Sequence, residues 1–325
     1  MLAAYIETCN ADDPGAAVSV GERPEPTPGD DWAIVEVRAA SLNHHDVFAA
    51  RGGVLLPEWL PRIIGMDAAG VTSQGEAVVV HNLIQSGDWV GDPLLDPGIT
   101  GLSEGYDGTF AERVAVPRAN LVPLPEGFSF EEAACLPTAW LTAYHMLFVE
   151  ADIRPGDKVL VQGAAGGLST ALVAMGSAAG IRMWVTGRTA EKRSYASALG
   201  AELTLEPGGR LPERVDAVME SVGAPTWEHS LKSLRKGGTV VVAGATGGQM
   251  ATLDLVRVFM RNARIVGSTM GTREDLDRMI AFLHQRGVRP QVESVLPLER
   301  AADAMRLMAA GDIRGKIVLK PSASG

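Results

Sequence analysis

Apolar positions fall in two rhythms along this chain. Through about residue 120 they come in short runs with partial alternation, the mark of strands. WAIVEVRAA, residues 32–40, follows the turn cluster PEPTPGDD, and EAVVVH and FAERVAV are further strand candidates. Between the last two lies LIQSGDWVGDPLLDPGITGLSEGYDG, whose Gly, Asp and Pro content predicts a loop. After about residue 125 the rhythm changes. Ser129 followed by Glu131 and Glu132 predicts a helix start for SFEEAACLPTAWLTAYHMLF. Strands and helices then alternate: KVLVQG, a helix to about residue 180, RMWVTG, a helix over 190–199, VDAVMESVG, a helix to 231, GGTVVVAGA, a helix over 253–261, and ARIVGST. Five strands with four crossovers predict a doubly wound parallel sheet. From about residue 270 come two helix candidates, EDLDRMIAFLHQ and ERAADAMRLMAA, and a last strand, GKIVLKP. This tail is read as returning to the first domain. The division is therefore 1–125 plus 269–325 for a β-rich domain and 126–268 for the α/β domain.

Composition narrows the classes. A hydrophobic share of 46% and a charged share of 21% suit a packed protein rather than a disordered one. The formal charge of −10, without a basic cluster, argues against a nucleic-acid partner. Two distant cysteines, Cys9 and Cys135, exclude a disulfide framework and a four-cysteine zinc site. MLAAYIET does not read as a signal peptide, and no apolar stretch is long enough to cross a bilayer, so the expectation is a cytoplasmic protein without a membrane partner.

Candidate chemistry begins at VLVQGAAGGLSTALVAMG, a strand, a cluster of small residues and a helix. Gly163 suits the sharp turn. Gly166 and Gly167, with Ala165 and Leu168 beside them, suit close approach of backbone N–H groups to a pyrophosphate. The plainer reading is a small-residue turn that only packs. Ser169 stands where a third glycine would serve helix–strand packing, and is small enough for that place. After RMWVTG there is no acid to bind a ribose 2′-hydroxyl. Arg188 and Lys192 follow instead, which favours NADP(H) over NAD(H). The alternative is that these are solvated charges, the reading preferred for Arg193.

The residues then carry a family likeness. GAAGG after a strand, SLNHHDVFAARGG, LPRIIGMDAAG, EEAACLPTAWLTAY, SVGAPTWEHSL, GSTMGT and GKIVLKP, in that order over nearly the whole chain, resemble the medium-chain dehydrogenase/reductase superfamily. Within it they resemble the zinc-independent quinone oxidoreductases. The resemblance implies a GroES-like β-rich catalytic domain joined to a Rossmann domain. It also implies a homodimer joined at the ARIVGST edge. The positions of the superfamily's catalytic zinc ligands fall on Asn43, Met66 and near Thr138, an amide, a thioether and a hydroxyl that make no ordinary zinc site. The loop around residues 83–106 replaces the structural zinc lobe, and the chain is shortened just after Gly70. Cys135 reads as a small buried hydrophobe, and Met66 as a cleft-lining or packing residue.

Without an ion to polarise an isolated carbonyl, conjugated acceptors are the easier hydride acceptors. The expected activity is NADPH-dependent reduction of a quinone or an α,β-unsaturated carbonyl. The alternatives are an alcohol or carbonyl dehydrogenase and a non-catalytic NADPH-binding protein. By resemblance, Asn43 and Asp46 match the family's Asn-x-x-Asp near the nicotinamide, and His45 falls where zinc alcohol dehydrogenases place a relay hydroxyl. Asp46 has an equal claim to fixing its turn through backbone bonds. His44, Tyr106 and Tyr144 are weaker donor candidates. Gly244 and Ser268, at the carboxyl ends of the fourth and fifth predicted strands, are expected along the nucleotide; Thr142, in the motif that resembles the family's nicotinamide-side helix, is expected there too, with an equal claim to being a satisfied helical threonine. His81, His145, His229 and His284 show no metal-ligand spacing and read as structural.

Overall fold

The structure is a computed structural model, and it describes residues 1–321. It divides into two compact units, Met1–Thr138 with Thr272–Ile280 and Arg289–Gly325, and Ala139–Gly271 with Ala281–Val288.

The first unit is built on a seven-stranded sheet. Its spine is Trp32–Ser41, paired antiparallel with Asp67–Thr72, Arg113–Pro117 and the returning strand Lys316–Lys320. The shortening after Gly70 is a tight hairpin: Asp67–Thr72 turns into Ala77–Val80, with the Thr72 N–H donating to the Glu76 carbonyl at 2.9 Å. Val292–Pro297, a strand not anticipated from the pattern, pairs parallel with the closing strand. Its alternation of half-buried and exposed positions gives only a weak apolar signal. Val35, Val37, Leu42, Val47, Ile64 and Phe110 fill the core beneath.

The second unit is a parallel sheet in the order Leu203–Leu205, Arg182–Thr186, Lys158–Gln162, Val215–Glu220, Leu234–Val242, Arg264–Gly267. Numbered along the chain that is 3-2-1-4-5-6, the order of dinucleotide-binding sheets, with its switch point beside the first strand. The pattern predicts five strands; the sheet has six. The added one, Leu203–Leu205, has three half-buried residues, too few to show a period. The four helices fall where expected: Gly167–Ala178, Ala190–Ala198, Ala224–Ser233 and Leu255–Arg261.

The helix predicted from Ser129 is not uniform. Ser129 and Glu132 do form a reciprocal capping box. Beyond it the turns widen into π-helical geometry over Leu136–Trp140 and again over His145–Glu150. Pro137 has no N–H to give the regular ladder, which is one local reason for the first widening.

Candidate active site and nucleotide cradle

In the first unit, Trp32–Ser41 runs into the helix His44–Ala50, and Asn43 is the helix cap. Asp46 Oδ2 accepts from the Asn43 N–H at 2.8 Å. Asp46 is fully buried and holds the turn, the plainer of its two expected roles.

The Asn43 amide is consumed internally. Its Nδ2 donates to Asp67 Oδ2 at 2.8 Å, and its Oδ1 accepts from Lys316 Nζ at 2.5 Å. Lys316 also donates to the Leu42 carbonyl at 2.6 Å and faces Asp67 Oδ2 at 3.6 Å. Asp67 is the hub. Ser41 Oγ reaches its Oδ2 at 3.0 Å, and Asn82 Nδ2 and Thr138 Oγ1 reach its Oδ1 at 3.0 and 2.6 Å. Burial pushes the Asp67 carboxyl up, against the pull of Lys316, Asn43 and Thr138. A buried ion pair holds only when its remaining donors and acceptors are met, and here four neutral donors surround one carboxylate. Asn43, Met66 and Thr138, the positions matching the zinc ligands, thus lie in or beside a hydrogen-bonded knot. Among the described residues no three His, Cys, Asp or Glu side chains converge as a metal site. Met66 is packed, with 1% of its surface exposed. Cys135 is fully buried, and burial pushes its thiol up to about 12.

His45 differs from its neighbours. Its ring is part-exposed, and Nε2 lies 2.8 Å from Glu104 Oε1, while Nδ1 faces Asp46 Oδ1 at 4.0 Å. The second separation is an ion-pair distance, beyond a hydrogen bond. Burial opposes the ring's charge, but Asp46 and Glu104 outweigh it and hold the imidazole up at about 9. His44 goes the other way, lowered by burial and by Lys316. Tyr106 packs against Trp32 at a tilt of 54°, ring centroids 5.0 Å apart.

In the second unit, Lys158–Gln162 ends in Gly163 at φ +96°, a conformation that L side chains rarely adopt. A Cβ there would lie 3.3 Å from Ser169 Oγ. Ser169 is buried against the turn, so a small residue suffices in the third-glycine position because residue 163 has no side chain. Gly166 caps the helix Gly167–Ala178 with no side-chain hydrogen bond, leaving the first-turn N–H groups without an intrahelical partner. A Cβ on Gly166 would meet nothing within 4 Å. Gly166 therefore borders open space at a positive helix terminus, which fits a pyrophosphate; Gly167 and Leu168 beside it are half-buried, and Ala165 is buried.

Arg188 follows Arg182–Thr186, is exposed, and makes no hydrogen bond or ion pair among the described residues. The Lys192 N–H donates to the Thr189 cap at 3.3 Å. Arg193 folds back onto the Gly187 carbonyl at 2.8 Å and toward Glu206 at 3.5 Å, a structural use. Gly244 follows Leu234–Val242, where a Cβ would stand 3.1 Å from the Ser221 carbonyl oxygen. Ser268 follows Arg264–Gly267, and its Oγ lies 3.1 Å from His145 Nδ1. Thr142 is buried in Leu141–Tyr144.

Five participants are not singled out by the sequence motifs: Ser41, Asp67, Asn82, Glu104 and Lys316. A signal exists for two of them. Asp67 is the only charge in IIGMDAAG, and Lys316 opens the apolar run IVL of GKIVLKP; a charge set against such a run calls for an opposite one.

Comparison with known proteins agrees with this architecture. Residues 29–126 match the family described as the alcohol dehydrogenase GroES-like domain, and residues 167–285 that described as zinc-binding dehydrogenase. A zinc-type alcohol dehydrogenase-like protein of Schizosaccharomyces pombe is 31% identical, over 88% of this chain and 90% of that one. Acryloyl-coenzyme A reductase of Sulfurisphaera tokodaii is 26% identical, over 95% and 98%. Among solved structures, an NAD-dependent alcohol dehydrogenase superposes with a TM-score of 0.91 at 34% identity, over 98% and 99% of the two chains. The 2-octenoyl-CoA carboxylase reductase CinF, in complex with NADP and 2-octenoyl-CoA, superposes with a TM-score of 0.90 at 25% identity, over 100% and 88%. The chain belongs to the medium-chain dehydrogenase/reductase superfamily, with a GroES-like domain and a Rossmann-type sheet, and it is an oxidoreductase.

Proposed function

We propose that this protein is an NADPH-dependent reductase of a quinone or an α,β-unsaturated carbonyl that works without zinc. One observation carries the reading. The side chains at the zinc-ligand positions are an amide, a thioether and a hydroxyl, and the amide and hydroxyl are already engaged with Asp67, the amide with Lys316 as well.

Gly163, Ala165, Gly166, Gly167 and Leu168 would hold the pyrophosphate. Arg188, exposed and unengaged, and Lys192 would hold the 2′-phosphate. Thr142, Gly244 and Ser268 would line the rest of the nucleotide. When bound, the nucleotide supplies a hydride. A conjugated acceptor spreads the resulting negative charge onto oxygen, where hydrogen-bond donors suffice to stabilise it. Of the three expected catalytic residues, Asn43 and Asp46 position the turn, and His45 is the one whose side chain is part-exposed. The acryloyl-CoA reductase and CinF similarities support an activated double bond as substrate.

The test measures NADPH and NADH oxidation against quinones, enones and enoyl thioesters, with and without chelator. Chelator-resistant turnover of a conjugated acceptor is expected. Arg188→Ala should weaken NADPH roughly ten- to a hundredfold more than NADH, the worth of one or two charge-assisted hydrogen bonds. Equal effects would refute the cofactor assignment. The similarity to an NAD-dependent alcohol dehydrogenase favours a second reading, dehydrogenation of a simple alcohol, and chelator-sensitive alcohol oxidation would establish that one. Nucleotide binding without any turnover would leave a non-catalytic protein.

No helix among the described residues is long and apolar enough to cross a membrane. We place the protein in the cytoplasm as a homodimer. The sheet-edge strand Arg264–Gly267 and the helix Leu255–Arg261 before it leave Leu255, Val256, Phe259 and Met260 each more than half exposed.

A further inference from the structure

A chain of hydrogen bonds runs beneath the glycine turn, and every member of it belongs to the second unit. The Gly163 N–H donates to Thr186 Oγ1 at 3.3 Å, and the Thr186 hydroxyl donates to Gln162 Oε1 at 2.7 Å. Gln162 Nε2 donates to Ser230 Oγ at 3.0 Å, and the Ser230 hydroxyl donates to Glu220 Oε2 at 2.6 Å. Gln162, Thr186 and Glu220 are the last residues of three strands, at the sheet edge where ligands of such folds sit. All four side chains are buried.

The hydrogens run one way. Glu220 Oε1 accepts from the Val222 and Gly223 N–H groups at 2.8 and 3.0 Å, and the Thr226 hydroxyl lies 2.9 and 3.0 Å from the two carboxyl oxygens. With both oxygens accepting, Glu220 takes the single hydrogen of Ser230. Ser230 can then only accept, so the Gln162 amide turns its NH2 toward it. That leaves the Gln162 oxygen for the Thr186 hydroxyl, and a Thr186 lone pair for the Gly163 N–H. His229 agrees with this order. Its Nε2 lies 2.9 Å from the Gly209 carbonyl, which only accepts, and its Nδ1 lies 3.0 Å from Gln162 Nε2. The ring therefore carries its hydrogen on Nε2, and Nδ1 accepts the second amide hydrogen of Gln162.

We infer that Thr186, Gln162, Ser230 and Glu220 are positioning residues for the pyrophosphate site. Anchored at Glu220, the chain fixes the Gly163 peptide and so the entry into the helix Gly167–Ala178, whose first N–H groups would face the phosphates. The inference rests on the nucleotide reading of that turn. A glycine at φ +96° pays no steric cost there but has other conformations open to it, and the bond from its N–H narrows the choice. Glu220 also holds the Val222–Gly223 turn, and a Cβ on Gly163 would stand 3.8 Å from Val222 Cγ2. One buried carboxyl group thus ties together two turns at this edge. The four residues act through Gly163 and need not touch the nucleotide.

Thr186→Val keeps the shape of the side chain and removes the acceptor of the Gly163 N–H, and Thr186→Ser restores it. Binding of NADPH and of NADH to the full-length protein is measured by calorimetry, and stability by the urea midpoint. T186V should weaken both nucleotides by the same factor, about three- to tenfold, because both carry the same pyrophosphate. T186S should recover most of that loss. A lowered midpoint with unchanged affinities overturns the positioning role and leaves packing alone. A loss confined to NADPH also overturns it, since the change would then lie at the 2′-phosphate. Should T186V fail to fold, Ser230→Ala cuts the chain further from the turn and is read in the same way, with both nucleotides weakened alike. The order of hydrogens is checked apart from binding, by the ring nitrogen resonances of His229, identified among the 6 histidines by His229→Gln. A ring with hydrogen on Nε2 alone is expected, and hydrogen on Nδ1 overturns the order. A wild type that binds neither nucleotide overturns the nucleotide reading and the positioning role with it, while the His229 signal still decides whether the chain runs from Gly163 to Glu220.

Discussion

Lys316 and Asp67 decide what kind of site the first unit can hold. Each is a buried charge on a strand, and each has 2% or less of its side chain exposed. The pair persists because Asn43, Ser41, Asn82, Thr138 and the Leu42 carbonyl meet the remaining valences. Removing one member leaves the other charged and unmatched in a dry interior. Lys316→Met, similar in length and apolar, is therefore expected to destabilise the protein by about 3–5 kcal/mol, read from the shift of its urea midpoint at constant slope. A shift too small to resolve would mean that Asp67 is neutral in the native state. At this scale the sequence is legible in part. Asn43, His45 and Asp46 stand out by motif, but their division of labour does not. Lys316 donates to Asn43 across 273 residues, and Thr138 to Asp67 across 71. No local pattern shows such partners.

The glycine turn acts as an element. Its strand, positive-φ glycine and uncapped helix start are defined by neighbours in the chain, which is why the turn is legible in the amino-acid order alone. The same locality allows a separation of stability from binding. Gly166 has φ −69° and ψ 164°, a conformation any capping residue adopts, and open space where a Cβ would go. Gly166→Asp should cap the helix and leave stability unchanged or higher by a few tenths of a kcal/mol. Its carboxylate would occupy the first-turn N–H groups and repel a phosphate, so nucleotide binding, measured by calorimetry, should fall at least about tenfold. Unchanged affinity would move the pyrophosphate away from this turn. Elements with weak local signals are the ones the pattern misses: the three-residue strand Leu203–Leu205, and Val292–Pro297 with no fully buried position.

For the whole molecule, the open question is what covers the apolar helix Leu255–Arg261 beside the terminal sheet strand. Phe259 is 62% and Met260 61% exposed. An unpaired strand edge flanked by apolar side chains invites association. Phe259→Asp is expected to convert a dimer to a monomer in sedimentation velocity at micromolar concentration while leaving the circular dichroism spectrum unchanged. A wild-type monomer at that concentration would remove the homodimer from the proposal.

Neighbouring residues dictate the alternation of strand and helix, the parallel sheet, the glycine turn, the charges after the second strand and the Asn-His-His-Asp turn, and all of these can be read along the chain. Hydrophobic period, turn chemistry and backbone conformation act over a few residues and leave a readable trace. That Lys316 and Asp67 close a buried knot around Asn43, and that Glu104 meets His45, emerges only once the chain is folded. Those contacts join segments far apart in the chain, and burial alone makes their charges count.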